Sequence, residues 1–241
     1  MSHVDSRHAP ALPHGPIVEV LPDIFFVKGS RQWHFQDFHW QFSRNMTVVR
    51  DGRQLTLFNA VRLDDEGLAA LDALGDVANV VQVGGLHGLD DAFYRDRYSA
   101  SYWAQPGAGQ EGVPADRQLV EGGDLPVADA SLFVFKTTRV PEAIVHLQRH
   151  DGVLIACDAL QNYLAPDEFF SGETAELMTK MGFFTRANVG PVWLQAAEPG
   201  ADDFARLKEL PFRHVFCGHG EPLIDTAREE YAATFGRIFG V

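Results

Sequence analysis

The chain holds 241 residues, 46% of them hydrophobic and 22% charged, which is enough apolar content for a sizeable core and too little charge for wholesale disorder. Its 20 Lys plus Arg against 33 Asp plus Glu give a formal charge of −13, which repels phosphate backbones and sets nucleic acid aside as a partner. No apolar run approaches the ~20 residues that cross a bilayer, and the two cysteines, Cys157 and Cys217, sit in no C-x-x-C pair, so neither a disulfide framework nor a thiolate-only zinc site is expected.

The first 16 residues, "MSHVDSRHAPALPHGP", are rich in His and Pro and lack an apolar h-region. They are expected to form a flexible arm rather than a secretory signal, which makes cytoplasmic the expected location. "PIVEVLPDIFFVKG" predicts two short strands around a Pro-Asp turn. "RQWHFQDFHWQFSRN" is dense in aromatics, read as core packing with an apolar lid as the lesser reading. "MTVVRDGRQLTLFNAV" predicts a hairpin around Asp51-Gly52. "DDEGLAALDALG" predicts a short helix with acidic residues at its start and a glycine at its end. "VANVVQV" follows as a buried strand and delivers the chain to "VGGLHGLDDAFY".

The Gly/Pro-rich "AQPGAGQEGVPADRQ" marks a surface loop or a seam. Beyond it the same grammar recurs. "ASLFVFKTT", "EAIVHLQRHDGVLIACDAL" and "FRHVFCGHG" carry strands, the middle one hairpin-like around Asp151-Gly152, with His146 and His150 expected at its surface. "PDEFFSGETAELMTKMGF", "ADDFARLKEL" and "DTAREEYAATFGRIFG" predict helices. Two β-then-α halves over residues 17–241 imply two sheets with helices outside.

Chemistry-bearing side chains fall just past apolar strands: His87, Asp90 and Asp91 after "VANVVQV", Asp158 after "GVLIAC", and His219 after "RHVFC". A carboxylate at the end of a buried strand needs an amide, a guanidinium or a metal as partner. Two carboxylates and an imidazole suit a divalent metal such as zinc, iron or manganese. Asp90 and Asp91 open "AFYRDRY", a helix start, and Asp90 is assigned to capping. No G-x-S-x-G or G-x-x-x-x-G-K-[ST] stretch offers a serine-nucleophile or P-loop alternative.

The order of elements, "HGLDDA", "ACDAL" and "CGHGEP" together resemble the metallo-β-lactamase-fold hydrolases, from about Val18 to the C-terminus. The resemblance implies an α/β four-layer αβ/βα sandwich with the site at one edge between the sheets. Laid on the family's H-x-H-x-D-H motif, His87 keeps the first histidine and Asp91 the aspartate, while Leu89 and Ala92 replace the other two histidines. Arg139 stands near the place of the family's middle histidine. Asp158 matches the bridging aspartate and His219 the final histidine. One family site would need His87, Leu89, Arg139 and Asp158; the other would use Asp91, Ala92, Asp158 and His219 and keeps three usable ligands. The expectation is therefore one divalent metal on Asp91, Asp158 and His219, with His87 as fourth ligand or hydrogen-bonding support. Its metal-bound hydroxide would attack a small ester, lactone, thioester or similar carbonyl substrate, with Arg139 stabilising developing negative charge. The alternative is a metal-free, non-catalytic descendant acting as a small-molecule or protein binding module, with Arg139 neutralising Asp158. A homodimer is the prior for a soluble, bacterial-looking enzyme of this size.

Overall fold

The computed structural model describes residues 7–108 and 113–241; residues 1–6 of the expected arm and 109–112 of the Gly/Pro-rich loop lie outside the described residues. The first sheet runs in chain order through β1 (Val18–Leu21), β2 (Ile24–Phe35), β3 (Phe38–Asp51), β4 (Gln54–Phe58), β5 (Asp76–Gln82), β6 (Ser101–Ala104) and β7 (Arg117–Gln118). The second holds β8 (Ala130–Val134), β9 (Ala143–Leu147), β10 (Val153–Ile155) and β11 (His214–Phe216), in the order β11-β10-β9-β8.

Three apolar layers explain the architecture. Alternate residues of β2 to β5, among them Phe25, Val27, Val48, Leu57 and Val80, pack against helix α1 (Asp65–Leu74) and helix α2 (Asp91–Tyr98). Between the sheets lie Ile24, Phe26, Val49, Phe58 and Val81 from one side, and Val145, Val153, Ile155 and Phe216 from the other. The outer face of the second sheet is covered by α4 (Pro191–Ala197), α5 (Ala201–Lys208) and α6 (Ala227–Phe239) through Trp193, Phe204, Leu207, Tyr231 and Phe235. The short helix α3 (Gly172–Lys180) instead adjoins β3, with Met178 in a small cluster beside Trp40 and Phe42. Helix, sheet, sheet and helix in that order give the expected four layers.

The turns at Pro22-Asp23 and Asp51-Gly52 and the β9-β10 hairpin fall where the turn residues placed them. Helix α1 starts at an Asp64 cap whose side chain accepts from the Gly67 amide. The aromatic stretch forms more than core. It makes β2 and β3 into one long hairpin, paired from Ile24↔Val49 out to Phe35↔Phe38, buried at its base and exposed towards its tip. His146 is buried and bonded to the Pro211 carbonyl at 2.8 Å, correcting the expectation of a surface position. Within the N-terminal segment, His8 reaches Asp96 at 3.0 Å and His14 accepts from the Asp64 amide at 2.9 Å.

Candidate metal centre

Strand register assembles the site. Strands β10 and β11 are parallel neighbours, with Ile155 opposite Phe216. Asp158 and His219 each lie three residues past that pair, so both emerge at the same edge of the second sheet. His87 arrives from the first sheet, five residues past the end of β5 at Gln82.

The loop that presents His87 is tightly held. Gln82 Nε2 donates to the carbonyls of Gly84 (3.0 Å) and His87 (2.6 Å), and the Tyr102 hydroxyl donates to Gln82 Oε1. Gly84 bridges to Glu142, the Gly85 amide donates to the Pro141 carbonyl at 2.8 Å, and the Ala143 amide donates to the Val83 carbonyl at 2.8 Å, stitching the two sheets at the mouth. Glycine is required at Gly88, which has φ +106° and where a Cβ would lie 2.5 Å from Gln82 Oε1.

His219 is oriented from behind. Its Nδ1 lies 3.0 Å from the Ser43 carbonyl oxygen, which makes Nδ1 the protonated nitrogen and leaves the Nε2 lone pair free. The Tyr163 hydroxyl also donates to the Ser43 carbonyl, at 2.5 Å. Asn45 fixes the surrounding turn by donating to the carbonyls of Cys217 (3.1 Å) and Gly220 (2.7 Å).

Three donor side chains therefore face one another. His87 Nε2 and His219 Nε2 are 3.1 Å apart, His219 Nε2 is 3.2 Å from Asp158 Oδ1, and His87 Nε2 is 3.5 Å from Asp158 Oδ2. Ligands bonded tetrahedrally at about 2.0–2.1 Å stand roughly 3.3 Å apart, so this set fits a single shared ion. Protonation agrees. Burial pushes the His87 imidazole down to about 4, against the opposing pull of Asp158, so it is a neutral donor at neutral pH. Burial would raise the Asp158 carboxyl, but His87 and His219 beside it and a hydrogen bond from Gln161 hold it at about 2. Cys157 also lies in the cluster with His87 and Asp158. Its thiol is pushed well above the usual range by burial and by the carboxyls of Asp158 and Glu142, so as it stands it is a neutral neighbour.

The other expected residues are elsewhere. Arg139 is exposed, pairs with Glu198 and borders a separate depression beside Pro141, so it neither neutralises Asp158 nor lines the site. The reason is local: its backbone amide donates to the Ala197 carbonyl at 2.8 Å, anchoring that loop over α4. Asp91 is buried at the start of α2 with both carboxyl oxygens unbonded, and burial together with Asp90 pushes its pKa to about 7. It does not line the cavity that His87, Asp158 and His219 share. Asp90 makes no side-chain cap; it pairs with the buried Arg44 and accepts from the Arg62 amide at 2.7 Å.

Two participants escaped the sequence reading. Arg44 supplies the guanidinium beside the centre, from the middle of β3 rather than from the loop after β8. Glu142 is fully buried; its Oε1 accepts from the Ala159 amide at 2.9 Å, its Oε2 is unbonded, and burial plus the Asp158 charge push it well above the carboxylate range. Its signal was legible as the one charged residue in the apolar run "VPEAIV".

Above the three donors opens a cavity of about 480 Å3. Its walls are Trp33, Trp40 and Phe42 of the hairpin, Leu86 and Leu89 of the His87 loop, and Met178, Phe183, Val192 and Trp193 from the helical side. Leu89, which stands where the resemblance calls for a ligand, is thus part of an apolar wall.

No protein-family model and no curated protein matches this sequence. Solved structures do. The DIM-1 metallo-β-lactamase exposed to ceftazidime superposes with a TM-score of 0.60 at 16% identity, over 95% of this chain and 98% of that one. VMB-1 at pH 5.5 gives 0.61 at 10% identity, over 91% and 95%. The mono-zinc form of FIM-1 from Pseudomonas aeruginosa gives 0.56 at 14% identity, over 94% and 96%. The chain has the metallo-β-lactamase fold. At these identities the likeness speaks for the fold alone, and the chemistry is argued from the centre itself.

Proposed function

We propose that His87, Asp158 and His219 hold one divalent metal ion and that the protein is a metal-dependent hydrolase of small carbonyl substrates such as esters, lactones or thioesters. The observation that carries this reading is the convergence of two imidazole nitrogens and one carboxylate at 3.1–3.5 Å, with His219 tethered from behind by Ser43. Buried donors so close repel one another unless a proton or a cation sits between them. Two imidazoles and a carboxylate suit zinc, iron or manganese, and that set is the expected one without Asp91, with His87 as a ligand.

When bound, such an ion would supply Lewis-acid polarisation of the substrate carbonyl and lower the pKa of a water near it. The chain's own residues do the rest. Gln161 orients the Asp158 carboxylate. Ser43 keeps the proton of His219 on Nδ1. The aromatic hairpin and α4 exclude bulk water and hold the apolar part of a substrate.

Metal analysis of protein purified without chelator tests the reading. About one equivalent is expected, lost in Asp158→Ala together with hydrolysis of p-nitrophenyl acetate or a simple lactone. No bound metal after incubation with zinc, iron or manganese would refute it, leaving only the binding module.

A further inference from the structure

The pleat of the long hairpin decides what faces the centre. Cross-strand pairs Gly29↔Arg44, Arg31↔Phe42 and Trp33↔Trp40 alternate along β2 and β3, so these six residues share one face. Five of them line the cavity. Trp33 and Trp40 stack with centroids 5.5 Å apart. Arg44 is neutralised by Asp90. Arg31 differs: among the described residues it forms no ion pair, and its one hydrogen bond is to the neighbouring Gln32 carbonyl at 3.4 Å. Its guanidinium sits 5.9 Å from the Trp33 ring centroid, half-buried beside the aromatic wall.

Burial and the like charge of Arg44 disfavour the Arg31 guanidinium, and the Asp90 carboxylate, already paired with Arg44, offsets this only in part, so an anion entering the cavity would be favoured there. The planar fork of the guanidinium matches a carboxylate. The surrounding surface carries the opposite bias, since the whole chain is at −13; screening over about 8 Å at physiological salt confines that repulsion to the exterior.

We propose that Arg31 is the specificity-determining residue of this cavity and that the substrates are small organic carboxylates with an aromatic or branched apolar body, the carboxylate on Arg31 and the body against Trp33, Trp40 and Phe42. This rests on the cavity being the substrate site of the hydrolase proposed above, but the anion subsite does not require the metal. A ligand of this class spans from the hairpin towards the centre, presenting its ester or lactone carbonyl to His87, Asp158 and His219.

The test uses tryptophan fluorescence and calorimetry on the full chain, with 4-phenylbutyrate and its uncharged isostere 4-phenylbutyramide as probes, both as purified and after chelator treatment. The wild-type chain is expected to favour the carboxylate by roughly tenfold or more, as a charge-assisted hydrogen bond supplies, in both preparations. Arg31→Gln should bring the two affinities within about twofold of each other, and Arg31→Met, which keeps the stem against Trp33, should do the same if the glutamine variant folds poorly. Equal binding of the two probes by the wild type, or a preference that survives both substitutions, overturns the proposal. A preference that exists only with metal present assigns the anion to the ion and also overturns it. If the chain as purified takes up no zinc, iron or manganese and yet discriminates through Arg31, the hydrolase reading is overturned while this subsite stands.

Discussion

At the scale of single residues, the centre depends on each donor being in its metal-ready protonation state. His87 is neutral above about pH 4 and Asp158 is anionic above about pH 2, so these two donors should weaken metal binding only in acid. His219→Ala should reduce bound metal and activity by more than about tenfold, the scale on which even a metal ligand's supporting contacts act, and metal analysis with a titrated chelator would show it. Asp91 makes the opposite kind of prediction. Its folded pKa of about 7 lies above the ordinary value near 4. Below pH 4 both states are protonated and nothing is lost. As pH rises, the unfolded chain releases a proton that the native state still holds, so stability falls until the folded group titrates near 7, by about 4 kcal/mol at most. Asp91→Asn should therefore raise the melting temperature at pH 8 and leave it nearly unchanged at pH 4. A large loss of stability at pH 8 would mean that Asp91 is ionised against a cation and is a ligand after all. His87, Asp158 and His219 were legible because each follows a buried strand and matches a motif position. Arg139 was misplaced because it occupies a motif slot whose histidine is gone, and a loop without a ligand has no reason to turn inward.

At the scale of elements, the parallel β10-β11 register does the positioning on one side and a glycine-dependent turn does it on the other. Gly88→Ala should destabilise the chain by about 1–3 kcal/mol, the usual cost of a non-glycine residue in a glycine-only conformation. It should also weaken metal binding, because the new Cβ must displace Gln82, which holds the His87 carbonyl. Equilibrium denaturation read alongside metal content checks both effects; unchanged metal affinity would show that His87 is not held through Gln82. The Asp51-Gly52 hairpin could be read because its turn residues announce it. The longer β2-β3 hairpin could not, since Gln36-Asp37 is no glycine turn and Gln36 itself takes φ +53°. Its pairing, and with it the facing of Arg31 and Arg44 into the cavity, is a cross-strand property that no local window contains.

At the scale of the whole molecule, both sheets contribute to one centre, so metal binding should clamp the halves together. A ligand that binds only the native state stabilises it by mass action, by about 2.7 kcal/mol at a hundredfold excess over its dissociation constant. Chelator treatment should accordingly lower the melting temperature of the wild type and leave that of Asp158→Ala unmoved; an equal shift in both would place the metal elsewhere. The layered fold was legible from the repeated β-then-α order, because burial of sheet faces is dictated by apolar runs that any reader can count. The chemistry inside the cavity was legible only in part, because Glu142, Ser43 and Arg44 reach the centre through contacts between segments far apart in the chain.

The central claim is that two imidazoles and one carboxylate share a single ion. The most direct measurement is anomalous diffraction at the metal edge from crystals of protein purified without chelator. The account predicts one peak at bonding distance from His87 Nε2, His219 Nε2 and an Asp158 oxygen. No peak there after soaking with zinc, iron or manganese, or a peak held by Asp91 without His87, would contradict it.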